Sequence, residues 1–110
     1  MSRRRVFGRW EIPPTVVEIV KSICADYDRR AIAIQTAAVD VVNTYKAMND
    51  AIDRAMEDIE PEIRRTMLED IYNGRGYYSS PASAIISKNA YYSRRHKAIH
   101  DIAVKLMLLE

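Results

Sequence analysis

Cysteine, glycine and proline are scarce in this chain: of 110 residues, one is cysteine, three are glycine and four are proline. The single thiol, Cys24, closes no intramolecular disulfide, which excludes a small disulfide-stapled scaffold and fits a reducing cytoplasm. With so few turn-formers, and with Ala, Ile, Met, Arg, Lys and Glu common, the composition favours an all-α fold. No apolar run approaches the roughly 20 residues that span a bilayer, so no membrane partner is expected. The opening residues, MSRRRVFGRW, are basic and lack the apolar stretch of a secretory signal. There is no Gly-rich phosphate loop and no H-E-x-x-H pair. Without a catalytic constellation, the chain reads as a protein that is not an enzyme and needs no cofactor.

Acid is missing from one long window. Residues 71–100 carry five Lys/Arg and no Asp or Glu, a balance of 5 − 0 = +5, and both histidines fall there. Residues 1–10 hold four arginines and no acid, whereas residues 40–70 hold nine acids and four bases, a balance of 4 − 9 = −5. The formal net charge of +2 conceals this segregation. A polyanion would meet two basic zones separated in sequence by an acidic middle. The bland alternative is surface charge that fell unevenly.

The chain divides into an arm, a long helical segment and a compact tail. The arm, 1–12, lacks helical periodicity and is expected to be flexible, with Trp10 and Ile12 docking. Pro13 and Pro14 suit the start of a helix. From Thr15 to Glu60 there is no Gly or Pro, and apolar or small residues recur at alternating steps of three and four. They are Val17, Val20, Cys24, Tyr27, Ala31, Ile34, Ala38, Val41, Tyr45, Met48, Ile52, Ala55 and Ile59. This seam predicts a coiled-coil-like oligomerisation segment over 13–60. It is either one long helix paired with a second copy or a kinked pair that folds back near Gln35–Thr36. The long helix and a homodimer are the favoured expectation. Residues 61–110 form one unit: a helix from Pro61 that stops at Asn73–Gly74, a loop, a short helix over 81–86 capped by Ser80, and a last helix over 88–108 capped by Ser87. The last helix should bury Tyr91, Ala98, Ile99, Ile102, Ala103 and Leu106.

A short helix joined by a tight turn to a longer, basic-headed helix is the layout of a helix-turn-helix, whose second helix enters the major groove of DNA. Lys88, Asn89, Tyr92, Ser93, Arg95 and His96 are expected on the face left open by the buried stripe. Arg94 would pack its stem and extend its charge to a phosphate, and Lys97 and Arg75 complete the candidate DNA-binding set. Asn pairs bidentately with adenine, and Lys or Arg with guanine. The stretches AIDRAMEDIEPEIRRTMLEDI and ISKNAYYSRRHKAIHDIAVKL resemble phage-encoded transcriptional regulators of the RinA/ArpU type, whose tails resemble region four of bacterial sigma factors. The matching positions are Ser87, Tyr91, Tyr92, Arg94, Arg95, Ala98, Ile99, Ile102 and Ala103. WEIPPTVVEIVKSICADYDRR is similar to the amino-terminal helix of some of these proteins. Ile85–Ile86 depart from the family, where the turn usually carries glycine. The resemblance implies double-stranded DNA as partner, activation of late phage genes, contact with RNA polymerase and a place in the cytoplasm of a bacterial host.

Two other function classes compete. One is a structural or packaging-type oligomeric DNA binder, similar to a small terminase; the other is a helical protein-interaction adaptor that binds no DNA. Several residues have plain explanations. Tyr77, Tyr78, Tyr91 and Tyr92 either touch nucleic acid or divide, with Tyr78 and Tyr91 in the core and the others on the surface. His96 and His100 have the i, i+4 spacing of metal ligands, but a solvated basic face explains them better. Cys24 belongs to the core. Glu57, Asp58, Glu60 and Glu62 flank a helix junction, where acids favour the amino end of the next helix.

Overall fold

The computed structural model describes residues 11–36 and 39–109. Five α-helices follow one another: α1 (Pro14–Ala25), α2 (Tyr27–Ile34), α3 (Val39–Met56), α4 (Arg64–Asn73) and α5 (Lys88–Lys105). Three short 3₁₀ turns, Pro61–Ile63, Tyr77–Ser79 and Pro81–Ala84, join the later ones. No strand occurs among the described residues, so the fold is all-α. None of the described helices is long and apolar enough to cross a membrane. Of the expected arm, residues 1–10, with Trp10, lie outside the described residues, and Ile12 is half-buried against the core.

The single helix expected over 15–60 is not formed. It breaks at Asp26 and again at Gln35–Thr36, where the folded-back alternative had placed the turn. Buried side chains account for the first break. The Arg30 guanidinium donates to the Ile23 carbonyl, which also accepts from Asp26 N at 3.3 Å, and to Asn49 Oδ1 at 2.7 Å. Asn49 in turn donates to the Tyr27 carbonyl at 3.2 Å. Among the described residues neither break uses a left-handed residue (Asp26 has φ −100° and Gln35 φ −80°), so no glycine is needed there. α2 and α3 then lie antiparallel. Tyr27 Oη donates to Asp53 at 2.6 Å near one end, Arg30 meets Asn49 in the middle, and Arg29 reaches Tyr45 Oη at 3.3 Å.

The two ends of the seam are consumed inside one chain, while Ala38 and the side chain of Val41 lie outside the described residues. Val20, Cys24, Ile52, Ala55 and Ile59 are buried together with Ile63, Met67 and Ile71 of the α4 region and Tyr91, Ile99 and Ile102 of α5. α1 packs on α4, and α3 packs on α5. A second copy therefore cannot pair through Val20 and its neighbours, because those side chains already have partners. The core positions expected in the last helix hold: Tyr91, Ala98, Ile99, Ile102 and Ala103 are buried and Leu106 is half-buried.

The ends of the later helices follow local chemistry. α4 stops at Gly74, which has φ +71° and so occupies the left-handed position that suits glycine. α5 is three residues shorter than expected. It ends in a Schellman motif, in which Leu108 N donates to the Ala103 carbonyl at 2.7 Å and Met107 N to the Val104 carbonyl at 3.0 Å. The left-handed residue there is Met107, with φ +63°. The short helix expected over 81–86 is a 3₁₀ turn over Pro81–Ala84, because Ile85 N and Ile86 N both fold back on the Ala82 carbonyl. Ser80 caps it by accepting from Ala82 N at 3.1 Å, and Ser87 caps α5 by accepting from Ala90 N at 3.2 Å.

Candidate nucleic-acid interface

The acidic middle folds onto the basic tail. Arg94 grips Glu60 with two nearly parallel bonds, Nε to Oε1 at 2.7 Å and Nη2 to Oε2 at 2.8 Å. Lys97 Nζ lies 2.7 Å from Asp58 Oδ2 and 2.7 Å from Asp101 Oδ2. Arg75 donates to Asp70 Oδ1 at 2.8 Å. The Arg94 guanidinium, with a bond from Glu60's own backbone, holds the Glu60 carboxyl below the ordinary range, and Lys97 does the same for Asp58. Asp101 and then Asp58 raise Lys97. Three of the five Lys/Arg in the acid-free window therefore pair with acids from residues 58–70. The segregation seen in sequence is in large part a pattern of intramolecular pairing.

Arg95 corrects the expected open face. Its guanidinium points inward, donating to the Arg75 carbonyl and to Tyr91 Oη at 2.9 Å. The reason is helical register. Arg95 lies four residues after Tyr91 and four before Ile99, so it sits on the buried stripe. Tyr91 Oη donates to Asp70 Oδ2 at 2.7 Å. Asp70, Arg75, Tyr91 and Arg95 thus form one polar cluster between the end of α4 and the second turn of α5. Burial, then the Asp70 bond, pushes the Tyr91 hydroxyl up to about 12.

The tyrosines hold the loop. Tyr77 Oη donates to the Ile86 carbonyl at 2.7 Å, and Tyr77 N donates to Tyr92 Oη at 3.0 Å. Rings 77 and 91 meet edge to face at 5.4 Å between centroids, as do rings 91 and 92 at 5.0 Å. Tyr91 is in the core as expected. Tyr78 is not: it is 79% exposed, and the Lys88 ammonium stands 5.1 Å from its ring centre.

Of the nine candidate residues, the structure brings Lys88, Asn89, Tyr92 and Ser93 together on the exposed amino-terminal face of α5. Tyr92 offers its ring there, but its hydroxyl is already engaged. His96 is half-buried beside a cavity of about 630 Å³ that Arg75, Tyr92, Arg95 and Ile99 also line. Arg75 and Arg95 belong to the internal cluster, and Arg94 and Lys97 to the ion pairs. Among the described residues no group of three His, Cys, Asp or Glu is placed to hold a metal ion. Cys24 is fully buried, and burial raises its thiol to about 12, which suits packing and not nucleophilic chemistry.

Asp70, Arg30 and Asn49 escaped the reading of the sequence, and Glu60 was read only as an acid at a helix junction. The first three had a signal. Asp70 lies beside Ile71 in the stripe of Ile63 and Met67, Arg30 lies between Tyr27 and Ile34 in the seam, and Asn49 falls three before Ile52. A polar residue on an apolar stripe is a buried polar residue that needs a partner. Nothing local marked the pairing of Glu60, whose partner lies 34 residues away. Compared with protein-family models, curated proteins and solved structures, the chain matches none.

Proposed function

We propose that this chain is a DNA-binding transcriptional regulator of the phage type its tail resembles, docking the amino-terminal turns of α5 in the major groove. The 3₁₀ turn Pro81–Ala84 stands in for the first helix of the motif. The observation that carries the reading is the exposed head of α5. Lys88, Asn89 and Ser93 face solvent beside Tyr92, and no acid occurs from residue 71 to residue 100. Lys88 supplies a cation for phosphate or guanine, and Asn89 supplies the paired donor and acceptor that match adenine. The four arginines of the arm add sequence-independent attraction. Arg75 and Arg95 are scaffold in this reading, so the contact set is smaller than the sequence implied. RNA polymerase contact rests on the resemblance alone.

Titrating a labelled duplex tests the proposal. With about four to six phosphates neutralised, log affinity falls with log salt at a slope of about −4 to −5. A flat salt response rejects it. Self-association moves to a different surface from the seam. Ile19 on α1 and Ile32 on α2 are 44% and 69% exposed, and they are the apolar side chains through which we propose a homodimer forms. Ile32→Glu then yields monomers in light scattering without lowering the melting temperature; a parent already monomeric at tens of micromolar rejects the dimer. The same exposed side chains, together with cations paired inside the chain, favour the protein-interaction adaptor as second reading. Absence of duplex affinity at low salt selects it, and ring-shaped oligomers select the packaging-type binder.

A further inference from the structure

One cleft on the α5 side is built from donors that suit an oxyanion. Ser93, Arg94, Lys97 and Ala98 of α5 line a space of about 160 Å³ that Ala55, Asp58 and Ile59 close from the other side. We propose that this cleft is a phosphate subsite held shut by the chain's own carboxylates: Glu60 and Asp58 occupy Arg94 and Lys97 until a backbone phosphate of the nucleic acid takes their place. The inference rests on the duplex-binding reading above and adds to it a second point of contact with a built-in competitor.

Four features support it. The Arg94 fork already holds a bidentate carboxylate, and the same geometry accepts two phosphate oxygens. Lys97 and the Ser93 hydroxyl, one turn apart, add a point charge and a further donor. Exchange strips no buried charge, since the side chains of Arg94 and Glu60 are each 34% exposed and that of Asp58 is 63% exposed. The released carboxylates can turn to water. Finally, the turn that carries Asp58 and Glu60 is pinned by its backbone. Arg64 Nε donates to the Ile59 carbonyl at 2.8 Å and Arg64 Nη2 to the Glu57 carbonyl at 3.1 Å. The turn therefore keeps its place when the two carboxylates let go. Asp101, which also touches Lys97, stays in contact with it after the exchange and opposes the phosphate, as the displaced Asp58 and Glu60 do from a greater distance.

The experiment compares the full chain with Asp58→Asn/Glu60→Gln, and with that pair plus Arg94→Gln. Thermal melting first establishes that all three are folded. The probes are a labelled duplex and, separately, inorganic tripolyphosphate followed by NMR shifts of α5 amides. The subsite predicts that the isosteric pair binds duplex about tenfold more tightly, with a salt slope steeper by about two, and that adding Arg94→Gln removes the gain. If the parent binds duplex and the pair binds it no better, the subsite is wrong while the regulator reading stands. If neither binds duplex but the pair takes up tripolyphosphate through Arg94, the subsite stands for another phosphoryl ligand and the regulator reading falls. Binding of neither probe overturns both.

Discussion

Replacing Asp70 with alanine tests the claim that much of the acid-free window is structural. Asp70 is fully buried and accepts from Tyr91 Oη at 2.7 Å and from Arg75 Nη1 at 2.8 Å. Its removal leaves the Tyr91 hydroxyl with the long contact to the Arg75 carbonyl at 3.5 Å in place of its short bond, a loss of about 1–3 kcal/mol. It also leaves the Arg75 charge unpaired, but that side chain is 34% exposed, so water replaces part of the interaction. The sum is about 3 kcal/mol, at the low end for breaking a buried pair. In a domain of this size that lowers the melting temperature by about 12–24 °C. Asp70→Asn keeps one acceptor and should lose about half as much. Tyr91→Phe combined with Asp70→Asn should show a coupling of about 1–2 kcal/mol in a double-mutant cycle. Arg95→Ala, which strips a donor from the same cluster, should also destabilise, by about 1.5–3 kcal/mol. Calorimetry or denaturant melts followed by circular dichroism suffice. Melting of Asp70→Ala within about 3 °C of the parent, with no coupling to Tyr91, refutes the reasoning.

Three further expectations follow from local chemistry. Met107→Gly removes a side chain from a left-handed residue at φ +63° and should stabilise by about 1 kcal/mol, read as a raised denaturation midpoint. Ile102→Ala should destabilise by about 2–4 kcal/mol, because the side chain is fully buried among the central residues; a loss under about 1 kcal/mol would mean that α5 is not docked as described. The third concerns alkaline pH. Cys24, with an ordinary value of 9.0, and Tyr27 and Tyr91, with ordinary values of 10.0, are all raised to about 12 in the folded chain. Between those limits the folded state keeps protons that the unfolded state has lost, so stability is full below about pH 9 and declines as pH rises toward about 12. Denaturant melts across that range should show the decline, and Cys24→Ala/Tyr91→Phe should flatten it.

The all-α class, the two later helices with their caps, and the core positions of the last helix were legible because they depend on residues a few positions apart. Ser80 and Ser87 cap the segments they precede, Gly74 stops α4, and the stripe of Tyr91, Ala98, Ile99 and Ile102 is buried. The fold-back of α2 on α3 was visible only as an alternative. A seam of threes and fours looks the same whether its partner is a second copy or a later part of the same chain. What decides it is the Arg30–Asn49 contact, 19 residues apart. The candidate site was legible in part. Composition marked the basic window, but pairing across 34 residues between Arg94 and Glu60 and across 39 between Lys97 and Asp58 has no local signature. Arg95 was misplaced for a different reason. Its charge argued for solvent, while its register, four residues from both Tyr91 and Ile99, placed it inward.

Our proposal that duplex DNA meets the chain at the head of α5 is tested most directly by the binding of Lys88→Ala and Asn89→Ala to a preferred and a scrambled duplex. Both side chains are exposed, so both variants should melt within about 0.5 kcal/mol of the parent. The account predicts that Asn89→Ala loses about 1–3 kcal/mol on the preferred duplex and relaxes one base position, while Lys88→Ala weakens both duplexes and shallows the salt slope by about one. Variants that fold like the parent and bind both duplexes unchanged would contradict it.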